Sequence, residues 1–187
     1  MSKKLQWISV GILLVIAVLF FVIFKPVTVG GSAMEPSYKN DVNYLVNKLA
    51  FIGSPPVRGD VVTFQYTQNP KYAGISRIIG VPEDKLIIQN GKVSVNGAVL
   101  EESYIASGVI TQTSARSEIK DINDGTGMIE DINAPKILDE GQEITVPENS
   151  YFMMGDNREE SVDSRSLGFV DRKDIFGKVA FQYKLPF

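Results

Sequence analysis

The sequence predicts a mainly β, antiparallel domain preceded by one N-terminal membrane-spanning helix. Three observations carry that reading. Leu5 to Phe24 (LQWISVGILLVIAVLFFVIF) holds no charged residue, and twenty residues at 1.5 Å each span a hydrocarbon core of about 30 Å. Asn90-Gly91 separates two runs rich in β-branched residues, and this dipeptide tolerates the positive φ angles of a type I′ hairpin turn. Beyond the apolar stretch no segment sustains a helical period.

Met1-Ser2-Lys3-Lys4 is a short basic start, which favours a cytoplasmic N-terminus, although Lys25 on the other side opposes it. Trp7 sits where an interfacial aromatic belongs. A cleavable signal peptide would have a shorter apolar region and a small-x-small site after it; Lys25-Pro26 follows instead. The expected organisation is therefore a cytoplasmic start and anchor over 1–25, and an extracytoplasmic domain over 26–187 of a single-pass cell-membrane protein. Strands are expected at 41–46, 60–66, 75–81, 85–89, 92–95, 98–100, 151–154 and 178–183, from their β-branched and aromatic content. Asn96-Gly97 marks a second turn. Residues 103–142 are polar and weakly periodic, with Gly125-Thr126-Gly127 as a turn, and are expected as an insertion or small second lobe.

Composition removes several chemistries. The chain of 187 residues has neither cysteine nor histidine, which excludes disulfides, Cys/His zinc sites, cysteine nucleophiles and Ser-His-Asp triads. Proton transfer near neutral pH would need a tuned lysine, a carboxylate or the α-amino group. Residues 26–187 carry 16 basic and 22 acidic residues, a net charge of −6, so no nucleic-acid footprint is expected. Neither a cofactor nor a metal is expected.

Four segments remain to be explained: Gly30-Gly-Ser-Ala-Met-Glu-Pro36, Gly59-Asp-Val-Val-Thr-Phe64, Ser76-Arg-Ile-Ile-Gly-Val-Pro-Glu-Asp84, and Gly155-Asp-Asn-Arg-Glu-Glu-Ser-Val-Asp-Ser-Arg-Ser-Leu-Gly168. In this order after one N-terminal span they resemble the bacterial type I signal peptidases of the Gram-positive kind, over nearly the whole chain. The last segment is the most specific. The resemblance implies a signal-peptidase-like antiparallel β domain with a small inserted lobe. It also implies a serine nucleophile and a lysine general base, the lysine working because burial lowers its pKa, and substrates that are secreted preproteins cut at the outer membrane face.

The resemblance carries over residue by residue, and it breaks at the dyad. The family's serine precedes Met-x-Pro, but here Ala33 precedes Met34-Glu35-Pro36. The family's lysine precedes Arg-x-Ile-Gly, but here Ser76 precedes Arg77-Ile78-Ile79-Gly80. A methyl group cannot attack a carbonyl, and a serine hydroxyl is no base at neutral pH. The supporting positions are kept: Arg77 beside the lysine position, Ser161 as the lysine-orienting serine, and Asp156, Arg158, Asp163 and Arg165 as a buried charged network. Ser37, and Glu83 in place of the usual glycine, are milder departures. The expected function is a membrane-anchored homologue that binds secreted or surface precursors, pilus subunits among them, without cutting. The alternative is an active signal peptidase, either altered by design at Ala33 or using relocated groups. Design would account for Ala33 but not for Ser76. Relocation would use Ser32, one residue from Ala33, with Lys71 swung in from five residues before Ser76. A structural membrane subunit without a working groove is a third reading.

Overall fold

A computed structural model describes residues 3–65, 73–114 and 137–183. The N-terminal helix α1 runs Lys3–Ile23. Its residues Gln6–Ile23 are long and apolar enough to cross a membrane, and none of them is buried in the rest of the protein. The helix gives way at once to strand β1, Phe24–Val29. Pro26 forces this change by pushing Lys25 into the extended region, and Val27, Thr28 and Val29 then favour a strand.

The remaining strands are β2 (Val42–Asn47), β3 (Val61–Gln65), β4 (Ala73–Gly80), β5 (Lys85–Gln89), β6 (Lys92–Val95), β7 (Ala98–Val99), β8 (Glu143–Thr145), β9 (Ser150–Met154), β10 (Val170–Asp171) and β11 (Ile175–Tyr183). One turn of helix, α2 (Ser164–Leu167), follows β9, and a 3-10 turn spans Arg172–Asp174. Seven strands form one antiparallel sheet in the order β1-β2-β11-β3-β4-β9-β10, and four form a second in the order β7-β6-β5-β8. The mainly β expectation therefore holds, with the helix in its expected place.

The hairpin expectation also holds. Leu86 pairs with Val95 and Gln89 with Lys92, and Asn90 and Gly91 have φ of 52° and 73°, as a type I′ turn requires. Asn96 and Gly97 repeat the device with φ of 53° and 80°. Strand β1 was not expected, because its proline hid it. Proline is tolerated where the amide faces no partner, at an edge, and β1 is an edge. Strands β8 and β10 are too short for a pattern. Tyr66 and the Gly125-Thr126-Gly127 turn lie outside the described residues.

Three apolar clusters hold the sheets. Ile79, Leu86, Ile88, Val95, Phe152 and Met154 join the two sheets. There the backbone of Gly80 lies so close that an added Cβ would meet Leu86 at 2.8 Å. Val62, Phe64, Ile78, Tyr151 and Met153 fill a second cluster. Val29, Met34, Tyr44, Val61 and Val179 fill the third, which packs the chain just after α1 against the large sheet.

Candidate active site

Gly155 is where the segments containing Ala33 and Ser161 meet. A Cβ added there would lie well under 3.0 Å from both the Ser161 side chain and the Ala33 carbonyl, so only a glycine lets these backbones approach. On the other flank β4 pairs with β9 through Arg77↔Met154 and Ile78↔Met153. Ala33 and Ser161 therefore converge on Gly155 from separate stretches of chain, and Ser76 is the β4 residue just before the paired Arg77.

Ala33 lies on the turn that follows β1. Met34, fully buried, pins the turn into the third apolar cluster. The Glu35 amide donates to the Ser32 carbonyl (3.0 Å) and the Tyr38 amide to the Met34 carbonyl (2.8 Å). The turn is also stitched to the far segment: the Asn157 amide donates to the Ala33 carbonyl at 3.0 Å, and its side-chain amide to the Ser32 carbonyl at 3.2 Å. Pro36 is exposed at the tip. Ser76 is buried in β4, opposite Val62 of β3.

Behind this point lies a network of buried charges. The Asp163 carboxylate accepts hydrogen bonds from the Gly155 amide (3.1 Å), the Ser161 hydroxyl (2.5 Å), the Arg165 amide (3.1 Å) and the Arg165 guanidinium (2.8 and 2.9 Å). Burial would push its pKa up, but the Arg165 charge and these donors outweigh burial and hold the carboxyl below its ordinary value. Arg165 is itself fully buried, and it also donates to Ser161 Oγ (2.9 Å), the Arg158 carbonyl (2.8 Å) and the Gln112 carbonyl (3.3 Å). Asp163 doubles as the N-cap of α2, which explains why so short a helix forms at this place.

A second group flanks the first. Arg77 makes a two-pronged pair with Asp156 at 2.8 and 2.6 Å and donates to the Gly59 carbonyl at 3.0 Å. Burial opposes its charge, yet the hydrogen bonds and charge of Asp156 raise its pKa. The Tyr104 ring covers the guanidinium, 4.1 Å from centroid to carbon. Arg158, buried, pairs with Glu102 and donates to Thr111 Oγ1 (2.6 Å) and the Gly155 carbonyl (3.0 Å). Asp156, Arg158, Asp163 and Arg165 are thus internal ion pairs rather than a solvated loop. Their partners Glu102, Tyr104, Thr111 and Gln112 were not singled out from sequence. Glu102 directly precedes, and Tyr104, Thr111 and Gln112 lie within, the polar stretch read as an insertion, far in the chain from the charges they meet, where no local signal could mark them. Residues 115–136 of that stretch, and Lys71, lie outside the described residues.

In front of the network runs a groove of about 300 Å³. One wall is β1 and the turn after it, including Val27, Val29 and Ala33; the other is the start of β4, including Ala73 and Ile75. Ser32, Lys25 and Glu160 also line it. Among the described residues both walls offer strand edges: β1 pairs on one side with β2, and β9 covers β4 over Arg77–Gly80 but not over Ala73–Ser76.

Comparison with known proteins places these observations in a group. A model of the family described as signal peptidase, peptidase S26, matches residues 2–184. Signal peptidase IB of Staphylococcus aureus is 33% identical over 187 residues, covering 97% of this chain and 90% of that protein. Signal peptidase I P of Bacillus subtilis subsp. natto is 32% identical, covering 94% and 86%. A crystal structure of a signal peptidase I from Enterococcus faecalis aligns with a TM-score of 0.48 at 28% identity, covering 68% of this chain and 98% of that one.

Proposed function

The chain belongs to the signal peptidase (peptidase S26) family, and on that premise we propose that it is a membrane-anchored member that captures extended precursor peptides without cutting them. One observation carries the reading. At the head of a built groove, backed by a complete internal charge network, the side chain at the nucleophile position is the methyl group of Ala33. The residue at the base position is Ser76, which cannot take up a proton at neutral pH.

What remains suits binding. The edges of β1 and of Ala73–Ser76, unpaired among the described residues, supply main-chain donors and acceptors on both sides of the groove. An extended peptide could satisfy them by strand addition. Small and aliphatic side chains between those edges leave room for the peptide's own side chains. Arg77, Asp156, Ser161, Asp163 and Arg165 act as positioning residues that hold the walls at their spacing. In this reading α1 anchors the protein in the cell membrane with residues 26–187 outside. There the groove meets secreted or surface preproteins, or pilus subunits, close to where their own apolar segments leave the bilayer.

Relocated catalysis finds little support. Ser32 lines the groove, but its carbonyl is tied to Glu35 and Asn157 as part of the turn. Lys25, the groove-lining lysine among the described residues, is exposed rather than desolvated, and a general-base lysine needs burial to shed its proton.

The test is fluorescence anisotropy with labelled precursor segments and the full chain in detergent. Saturable binding with the peptide recovered whole is expected, weakened at least about tenfold by Ala73→Trp, a steric loss of about 1.4 kcal/mol or more. Binding indifferent to Ala73→Trp, or no binding, would remove the groove from the account.

A further inference from the structure

Main-chain pairing to a strand edge holds any extended peptide, and side-chain contacts decide which one is held. In the groove few groups can make that choice. Its described lining is mostly aliphatic, glycine or small hydroxyl residues, and the charged members are Lys25 and Glu160. The Glu160 amide donates to the Asn157 carbonyl at 3.2 Å, and Asn157 is bonded to the Ala33 turn, so Glu160 belongs to the Ala33 end. Lys25 stands at the other end, near the start of β1.

Alternate residues of a strand share a face, and Lys25, Val27 and Val29 all line the groove. Val29 lies in the third apolar cluster and Val27 packs against it. This is therefore the inward face of β1, and Lys25 is its first member. The Lys25 ammonium stands over the ring of Phe176, 5.9 Å from the centroid, and Phe176 of β11 also lines the groove. Attraction between a cation and a ring face keeps the head of this otherwise exposed side chain over the groove.

Other cations of the large sheet and its turns already have a partner. Lys178 pairs with Asp60 at 2.5 Å, Arg58 with Asp84 at 2.8 Å and Arg77 with Asp156 at 2.6 Å. The Lys48 ammonium donates to the Phe21 carbonyl at 3.1 Å. Lys25 pairs with no carboxylate among the described residues. A groove-lining cation in this position is placed for a carboxylate that arrives with the peptide.

We propose that Lys25 is a specificity-determining residue of the groove, pairing with an aspartate or glutamate side chain of the bound peptide at a set distance from the peptide residue that faces Ala33. This deepens the peptide-capture reading and rests on it. A precursor segment is internal to its chain, so the carboxylate is that of a side chain and not of a terminus. The distance follows from β1. Lys25 and Val29 are four residues apart in the strand, about 13 Å at 3.3 Å per residue, and Ala33 lies beyond Val29 on the turn. An extended peptide beside β1 therefore places the paired residue at least about four positions from the one that faces Ala33. A lysine or arginine there is selected against by like charge. Residues 26–187 as a whole are strongly acidic and repel acidic peptides in general, so attraction at Lys25 shows itself as a preference confined to one position.

Fluorescence anisotropy with the full chain in an uncharged detergent tests this. The probes are end-capped, otherwise uncharged precursor peptides with one aspartate at successive positions, each beside its asparagine counterpart. At one position aspartate is expected to bind about two- to fivefold tighter than asparagine, the span of an exposed ion pair, and the factor should shrink as salt rises. Lys25→Gln should abolish the preference while binding the asparagine peptides as the parent does, which shows that the groove is intact. Lys25→Glu should transfer the preference to lysine at the same position. Lys92→Gln, exposed on β6 of the other sheet, should leave it unchanged. Because the chain has no cysteine, a disulfide between Ala33→Cys and a single peptide cysteine identifies the peptide residue that faces Ala33. A preferred aspartate nearer to it than about four residues would overturn the assignment to Lys25, as would a preference that survives Lys25→Gln. Equal binding of every aspartate and asparagine peptide, all weakened by Ala73→Trp, would overturn the part given to Lys25 and leave the groove reading standing. If no peptide binds, both fall.

Discussion

Replacing Asp163 by alanine strips the central acceptor from the buried network. The Gly155 amide, the Ser161 hydroxyl and three donors of Arg165 lose their partner together. Arg165 is then a fully buried cation with only the Ser161 hydroxyl and the Arg158 and Gln112 carbonyls left. Breaking one side of a buried pair costs about 3–5 kcal/mol. For a domain of this size that corresponds to a fall in Tm of roughly 6–20 °C. Thermal unfolding followed by circular dichroism in detergent measures it. Asp163→Leu combined with Arg165→Met removes both charges and should recover much of the loss, because apolar replacement of a buried pair is often close to neutral. pH gives an independent check. The folded carboxyl lies below its ordinary value, so its contribution is complete above the unfolded pKa of about 3.9 and is lost as pH falls through the lower folded value. The parent should therefore lose stability on acidification below about pH 4, and Asp163→Ala should show a shallower loss over the same window. Equal melting of parent and Asp163→Ala at neutral pH would refute the network's structural role.

Other outcomes follow from single contacts. Gly155→Ala should destabilise by about 2 kcal/mol or more, as overpacking does, and should weaken peptide binding, because the new methyl displaces the Ala33 turn or Ser161; unfolding and anisotropy on one sample measure both. Glu83 holds a φ of 69°, a conformation glycine adopts without strain, so Glu83→Gly should raise stability by up to about 1 kcal/mol, the left-handed penalty less the added chain entropy, read as a small rise in the urea midpoint. Tyr104→Leu removes the ring over Arg77 and the hydroxyl's hydrogen bond to Glu102 (2.7 Å) and should cost about 2 kcal/mol or more, with Tyr104→Phe recovering only the ring's share.

What the sequence made legible depended on whether its signal was local. The 85–95 hairpin was legible because Asn90-Gly91 fixes turn type and register within a few residues. The strand ending in Met154 was legible because all of its side chains are buried and it reads as one apolar run. β1 was not, because Pro26 argues against a strand unless that strand is known to be an edge, and edges are a property of the assembled sheet. The charged positions 156–165 stood out through motif density, but Glu102 and Thr111, which complete Arg158, are ordinary polar residues in an unpatterned stretch. Their role exists only once the two sheets have folded together. The convergence of Ala33 and Ser161 depends on the missing side chain of Gly155, and nothing in a glycine's neighbours along the chain says which distant backbone will approach it.

In the proposed reading the fold and groove persist although both dyad residues are replaced. The most direct measurement is cleavage of a preprotein by the full chain in lipid, beside the Ala33→Ser variant and the variant carrying both Ala33→Ser and Ser76→Lys. No product is expected from the parent or from Ala33→Ser at any pH from mild acid to mild alkali, since a serine without a base stays protonated. Product is expected from the double variant, because Ser76 is buried in β4, where a lysine would be desolvated enough to act as a base. Cleavage by the unaltered chain, abolished by Ser32→Ala, would contradict the account and assign the chemistry to a relocated nucleophile.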